Sequence, residues 1–394
     1  VKMLPLGEGF ASIRNGMNIK QDKSPRGLPI TRIETISKGV VDPNRVGYAG
    51  LEREDCRDWI LQEGDILFSH INSVEHIAKC AIYRGEPREL VHGMNLLRLR
   101  VEQSILDPNY AIHAMRTPEF RARIMPFVNR AVNQASISIG NLKGVSLPAP
   151  SLEEQARVVN LLDQVDSLRD QRRKATTLLN DLAHSIFFDM FEEGTRSTKW
   201  PRMPISDIGE VVTGSTPETS NASYFDGPIP FATPAEIGKE WLVRTTSRTL
   251  TSSGAARGRL IPSGSVLVTC IGASLGNVSL AEVPLATNQQ INSVVLNGSI
   301  IDSWYALFAF KKLLPDLWNA SSSTTLPIVS KRKFQSLQIP VPEISEQRKF
   351  GSVMSRLKRE MVPHHDQISV LDELFTALQQ RAFSGTLWDH EATA

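Results

Sequence analysis

The residues of this chain with the most chemical capacity are amides, hydroxyls, imidazoles and guanidiniums placed in polar loops between short apolar runs. The densest group is Thr287-Asn288-Gln289-Gln290. The loop His70-Ile-Asn72-Ser-Val-Glu-His76 follows one apolar run, Gly272-Ala-Ser274-Leu-Gly276-Asn277 follows another, and Asn95 ends the stretch His92-Gly-Met-Asn95. Asn and Gln present a donor and an acceptor side by side, which matches the edge of adenine, as the fork of Arg matches guanine. The same side chains also populate ordinary surface turns, where they hydrogen-bond their own backbone. Arg14, Lys20, Lys23 and Arg26 in the first half, and Arg244, Arg248, Arg257 and Arg259 in the second, are candidate phosphate contacts or else a solvated charged face. The candidate DNA-binding set is these eight cations with His70, Asn72, His76, Asn95, Ser274, Asn277, Thr287, Asn288, Gln289 and Gln290.

No catalytic or metal-binding set is expected. Gly272-Ala-Ser274-Leu-Gly276 fits the G-x-S-x-G pattern of a nucleophile elbow, but an elbow opens a helix, and Asn277-Val-Ser-Leu-Ala reads as a strand. His364 and His365 are adjacent and therefore point to different helix faces, with no Cys cluster or HExxH to join them. There is no GxxxxGK[ST] phosphate loop and no [ND]-P-P-[FY] tetrapeptide to hold a target amine. The three cysteines, Cys56, Cys80 and Cys270, are an odd and widely spaced set, which argues against a disulfide framework. With no apolar run of about 18 residues and no basic-then-apolar N-terminal segment, a cytoplasmic protein is expected. The net charge of +2 is low for a protein that grips nucleic acid unaided, and it leaves room for partners that supply phosphate contacts.

The elements that position these loops are duplicated. Leu147-Pro-Ala-Pro150-Ser-Leu-Glu-Glu154-Gln155 matches Ile339-Pro-Val-Pro342-Glu-Ile-Ser-Glu346-Gln347 at an offset of 192 positions (340 − 148). The match runs on without a gap through apolar positions, from Val158 on Phe350 to Phe191 on Phe383, and reaches back to Ile137-Ser138 on Val329-Ser330. From Ser151 to Phe191 there is neither Gly nor Pro, and Ser151-Leu-Glu-Glu154 has capping-box form. Apolar residues then alternate by three and four, the seam of a coiled coil. The expected seam residues are Val158, Leu161, Val165, Leu179, Leu182 and Ile186 on the first helix, and Phe350, Val353, Leu357, Leu371 and Leu378 on the second. Pro363 predicts a kink or break near Val362, and Gly385 a stop. Upstream of each helix, Asp65–Ser69, Leu96–Val101, Ser265–Cys270 and Asn292–Leu296 read as short strands of a twisted antiparallel sheet, followed by helical stretches near Tyr110 and Trp304.

The predicted fold is α+β. Two mixed α/β domains, 1–150 and 196–342, which the resemblance given next implies to be target-recognition domains, alternate with helical spacers, 151–195 and 343–385. A tail follows at 386–394, and the two helices form an antiparallel coiled coil about a pseudo-two-fold axis. This order of modules, with the Pro148-to-Gln155 and Pro340-to-Gln347 elements and Thr287-Asn288-Gln289-Gln290, resembles the specificity subunits of type I restriction-modification systems from end to end. The resemblance implies a non-catalytic, sequence-specific subunit that reads a split, asymmetric site in double-stranded DNA and docks two methylation subunits and motor-nuclease subunits. It implies no cofactor in this chain, S-adenosylmethionine, ATP and Mg belonging to the partner subunits. A detached recognition portion of a fused restriction-methylation enzyme, and a coiled-coil scaffold without DNA specificity, stand as alternatives.

Overall fold

The computed structural model describes residues 2–22, 25–131, 134–193, 199–322 and 326–387; Lys23 and the end of the tail lie outside this range. The chain divides into two compact units, Val1–Arg172 with Asp366–Ala394, and Arg173–His365.

In the first unit four antiparallel strands lie in the order Phe10–Asn15, Leu97–Val101, Ile66–Phe68, Cys80–Ile82. Strand side chains alternate between faces, and here both faces are covered. Ile66, Phe68, Leu97 and Leu99 pack with Tyr110, Phe120 and Ile124 of the helices Pro108–Met115 and Pro118–Ile124. Leu67 and Ala81 point the other way, into a second cluster with Ile36, Tyr83 and Leu90. Burial on both sides is why Ile66–Phe68 reads as an unbroken apolar run.

The second unit repeats this plan in the order Gly209–Thr213, Ile291–Leu296, Val266–Thr269, Val278–Ala281. It adds a fifth strand, Leu242–Val243, which joins in parallel, so this sheet is mixed where an antiparallel one was expected. Val266 and Val268 face the helix Ser303–Lys311, and Leu267 faces a smaller cluster with Ile237 and Ile261. In each unit a short strand pairs with the strand before the long helix: Met3–Pro5 with Ser146–Pro148, and Arg202–Pro204 with Gln338–Pro340.

The first long helix, Leu152–Phe191, has 40 residues, about 60 Å at 1.5 Å each. Its capping box forms as expected: the Ser151 N–H donates to Glu154 Oε2 at 3.1 Å, and the Glu154 N–H to Ser151 Oγ at 3.3 Å. The second, Ile344–Ser384, has 41 residues and runs through Pro363 without a break, contrary to the expected interruption. Pro363 is exposed, and so is Arg359, whose carbonyl is the one deprived of its donor, so water can reach that end of the gap. Gly385, at φ +86°, ends the helix.

The buried line on these helices also departs from the expected seam. Val158 and Val165 are buried, but Leu162 takes the place of Leu161, which is half-buried, and Ala183 takes the place of Leu182, which is 46% exposed. Leu179, Ile186, Val353, Leu357, Leu371 and Leu378 are half-buried, and Phe350 is fully buried. Doublets such as Leu161-Leu162, Leu182-Ala183 and Ile186-Phe187 satisfy a three-four and a four-three spacing equally well. The choice between them is made by what each helix face meets. Phe187 meets Phe350 edge-on at 5.5 Å in the second unit. In the first unit Val158 and Leu162 share a core with Ala382 and Phe383.

Candidate nucleic-acid interface

Each unit carries a hydrogen-bonding device built on the repeated motif. Gln155 is fully buried. Its Oε1 accepts from the Asp107 N–H at 2.9 Å, and its Nε2 donates to the carbonyls of Ile105 and Pro150, both at 2.9 Å. Gln347 repeats the arrangement, with Asp302 N–H at 2.9 Å and the Ile300 and Pro342 carbonyls at 3.1 and 2.7 Å. Asp107 and Asp302 in turn cap the helices behind the sheets, by accepting from Tyr110 and Tyr305 N–H groups among others. The side chain that ends each Pro-x-Pro element thus fixes the start of a long helix to the sheet-backing helix of its own unit. The sequence marked these glutamines as repeated. Their role as pins required the fold.

A second device brings the loop cluster to the sheet. Added Cβ atoms on Gly16 and Gly214 would collide with the backbone of Gly93 and His92, and of Thr287 and Asn288. Only glycine permits that approach. It is closed by hydrogen bonds from Met17 N–H to the His92 carbonyl at 2.7 Å and from Ser215 N–H to the Thr287 carbonyl at 2.9 Å. His92-Gly93-Met94-Asn95 and Thr287-Asn288-Gln289-Gln290 therefore occupy corresponding places in the two units. In each, the first two residues are buried and a later one reaches the surface: Met94 and Asn95 in one unit, Gln289 in the other.

Within the four-residue cluster the side chains divide by role. Thr287 and Asn288 are buried. Asn288 Oδ1 accepts from Gln290 N–H at 3.1 Å and its Nδ2 donates to Gln290 Oε1 at 2.9 Å, so the Asn288 amide holds the turn. Gln289 is exposed, steadied by a hydrogen bond from Thr216 Oγ1 at 2.6 Å.

In the first unit Asn72 and His76 come together with Ser69, Lys79 and Glu34 around a cavity of about 190 Å³. Asn72 donates to Ser69 Oγ at 3.1 Å, Lys79 Nζ donates to the Ser37 carbonyl, and His76 is exposed. His70 is buried, with no partner for its Nδ1 among the described residues, and burial lowers its pKa. In the second unit Ser274 is half-buried, and Asn277 donates to the Ile237 carbonyl at 3.0 Å. Gly272 and Gly276 flank the connection between the antiparallel strands Val266–Thr269 and Val278–Ala281, so the G-x-S-x-G segment is a hairpin loop, as its flanks predicted.

The cations do not form one group. Arg14 donates to the Asp58 carbonyl and lies over the Trp59 ring at 4.8 Å, which ties it to the frame. Arg26 pairs loosely with Asp22, and Lys20 is exposed. Arg248 lies over Phe225 and Phe231, and Arg257 over Tyr224, while Arg244 and Arg259 are exposed. Burial pushes the Cys80 thiol up to about 11 and the Cys270 thiol to about 12, so neither is a thiolate near neutral pH. Among the described residues no three His, Cys, Asp or Glu side chains gather as metal ligands. No described helix is long and apolar enough to cross a membrane.

A duplicated α+β frame carrying divergent polar loops, with a long helix after each frame, defines a modular recognition protein. The family model of the type I restriction modification DNA specificity domain matches residues 2–177 and again residues 197–370, so the chain belongs to that family. The MjaX specificity subunit of Methanocaldococcus jannaschii, described as a type I restriction enzyme subunit, is 30% identical over 365 residues, 88% of this chain and 83% of that protein. The EcoKI specificity subunit of Escherichia coli is 28% identical over 197 residues, 48% of this chain and 42% of its own. The S subunit of a type I restriction-modification system from M. genitalium shares the fold, with a TM-score of 0.63 at 15% identity over 97% of this chain and 96% of that one.

Proposed function

We propose that this chain is the non-catalytic reader of a type I restriction-modification complex. Each unit reads one half of a split, asymmetric duplex target, and the two long helices hold the halves at a set distance. The observation that carries this is the pairing of a repeated frame with unlike loops. Gln155 and Gln347, Asp107 and Asp302, and Gly16 and Gly214 repeat contact for contact, whereas Met94-Asn95 stands where Gln289-Gln290 stands in the other unit. Each unit combines the first half of one long helix with the second half of the other, which supports an antiparallel pair. In the first unit Arg169 joins Asp372 at 2.6 Å and lies over Phe375 at 4.6 Å.

Docking of two methylation subunits is supported by apolar side chains left in solvent. Leu178 is 67% exposed and Leu182 46%; Val370 and Leu374, at the same places in the repeat, are 62% and 43% exposed. An i,i+4 apolar pair on the outward face of a helix is unexpected without a partner, and its duplication suits two copies of one partner. On this reading S-adenosylmethionine, ATP and Mg bind the partner subunits, the motor-nuclease subunits join the same assembly, and the protein works in the cytoplasm.

The ruler is tested by inserting four residues after Ala175. The helix lengthens by about 6 Å, and the chain beyond the insertion turns by about 40°. Against a rise of about 3.4 Å per base pair, the gap in the methylated motif is expected to grow by one or two base pairs with both halves unchanged. Methylation at the original gap rules out the helices as the ruler. Exchange of residues 1–145 for another such module is expected to alter one half of the motif, and methyl transfer by the purified chain alone would end the non-catalytic reading.

A further inference from the structure

An element that no motif marked stands beside the strand Ile71–Asn72. Gln134–Ser136 pairs antiparallel with that strand on one side and with Asn129–Ala131 on the other, in the register Asn129 with Ser136, Arg130 with Ala135, and Ala131 with Gln134. The root of this ribbon is fixed. Ala135 and Ile137 are buried in the first unit's core, and the Ile137 N–H donates to the His70 carbonyl at 2.9 Å. Its outer strand is bare. Asn129, Arg130, Ala131 and Gln134 are all exposed, and the side chains of Asn129, Arg130 and Gln134 make no hydrogen bond or ion pair among the described residues. The edge strand carries a guanidinium and one amide into solvent, and the strand beside it a second amide, so these donors are open to an external acceptor.

The repeat supplies a second and independent observation. Moved by the same 192 positions, Arg130 falls on Ser322, Ser136 on Ile328, and Ile137-Ser138 on Val329-Ser330. The second unit keeps the frame at this place. Ile271 bridges to Ile328 as Ile71 pairs with Ser136. Val329 and Phe334 are buried as Ile137 and Leu142 are, and Ser330 caps its helix as Ser138 does. What differs is the surface chemistry: exposed Asn129, Arg130 and Gln134 on one side, the half-buried Ser321 with exposed Ser322 and Leu326 on the other. Constancy of frame with divergence of exposed side chains marks the proposed readers, and it recurs here outside the loops already described.

Resting on the DNA-reading function proposed above, we propose that the ribbon Asn129–Ala131 with Gln134–Ser136 enters the major groove of the first unit's half-site and that Arg130 reads a guanine there. Two strands about 4.8 Å apart fit a groove about 12 Å wide. Arg130 supplies the two-pronged donor that guanine O6 and N7 accept, while Asn129 and Gln134, on the other face of the ribbon in this register, are left for phosphates.

The test is selection from a pool of random-sequence duplex DNA by the full chain with its methylation subunits, for wild type, Arg130→Ala and Arg130→Lys. The selected and scrambled duplexes are then titrated at one salt concentration. Wild type is expected to select a split motif. Arg130→Ala is expected to keep one half intact and lose preference for a single guanine in the other, by roughly ten- to a hundred-fold. Arg130→Lys keeps the charge but not the fork, so it retains affinity for scrambled DNA while losing the same guanine. An unchanged motif, or equal losses on both duplexes, overturns the ribbon as a base reader and leaves the reading of the chain as a specificity subunit intact. A wild-type assembly that selects no motif overturns both.

Discussion

The two units share a frame and fill its junction with the long helices in opposite ways. In the second unit that junction is aromatic. Phe187, Phe191, Tyr305, Phe308 and Phe350 are linked by stacked, tilted and edge-on ring contacts with centroids 4.8 to 5.7 Å apart. In the first unit Val158 stands for Phe350 and Gln379 for Phe187, while a larger residue, Phe375, stands for Ala183. His113 Nε2 there donates to Asp163 Oδ1 at 3.0 Å, and Gln379 donates to the His113 carbonyl at 3.2 Å. Even the matched tyrosines differ. Tyr305 donates to the Pro340 carbonyl at 2.7 Å, whereas the Tyr110 hydroxyl has no partner among the described residues. What is kept is backbone geometry and the glutamine pin. Large and small side chains trade places across the helix pair so that each core stays filled.

Removing the Phe350 ring, which meets Phe187, Phe191 and Phe308, tests that difference most severely. Phe350→Ala is expected to destabilise the second unit by about 3–5 kcal/mol, against about 1.5 kcal/mol for the equivalent Val158→Ala in the first, from two lost methyl groups. Urea unfolding with hydrogen exchange followed in each unit separates the two. Equal losses would mean that the aromatic cluster holds no more than the aliphatic junction.

Acid should divide the units next. His92 is fully buried, and burial holds its imidazole down to about 4. Its ring contacts the Leu96 carbonyl at 2.8 Å. The unfolded chain takes up this proton near the ordinary value of 6.5, well before the folded chain does. Stability from this group is therefore complete above about pH 6.5 and is lost as pH falls towards 4, by an amount on the order of 3 kcal/mol. The buried residue at the corresponding place in the second unit is Thr287, which does not titrate. Exchange protection measured from pH 7 to 4 should fall in the first unit more steeply, and His92→Gln should flatten that fall.

The glutamine pins should behave alike, which is the reverse test. Gln155→Ala and Gln347→Ala each leave one buried donor and two carbonyls without their partner, at about 2 kcal/mol. A difference greater than about 1 kcal/mol between the two, in thermal unfolding of the full chain, would show that the repeated hydrogen bonds are not equivalent in energy.

The smallest effect on stability concerns neighbours in one loop. Asn288→Ala loses the turn-holding amide and is expected to cost about 1 kcal/mol. Gln289→Ala should leave stability within about 0.5 kcal/mol while lowering discrimination between target and scrambled duplex. If Asn288→Ala alone affects discrimination, the division of that loop into a holding residue and a reading residue is reversed.

Much of this organisation was legible in the amino-acid sequence because it rests on local rules. The duplication, the capping box at Ser151, the strands at Asp65–Ser69 and Ser265–Cys270, and the hairpin reading of Gly272–Gly276 follow from period, capping chemistry and turn residues. The family resemblance lay in the Pro-x-Pro elements and is matched over both halves of the chain. The tertiary structure decided what depends on partners distant in sequence. Which of Leu161 or Leu162, and of Leu182 or Ala183, turns inward is fixed by the rings and helices packed against that face, because either choice satisfies a heptad. Pro363 stays within a helix because an exposed carbonyl can be solvated. The buried amide of Asn288 and the exposed amide of Gln289 are adjacent and chemically alike; only the strands around them determine which one faces water.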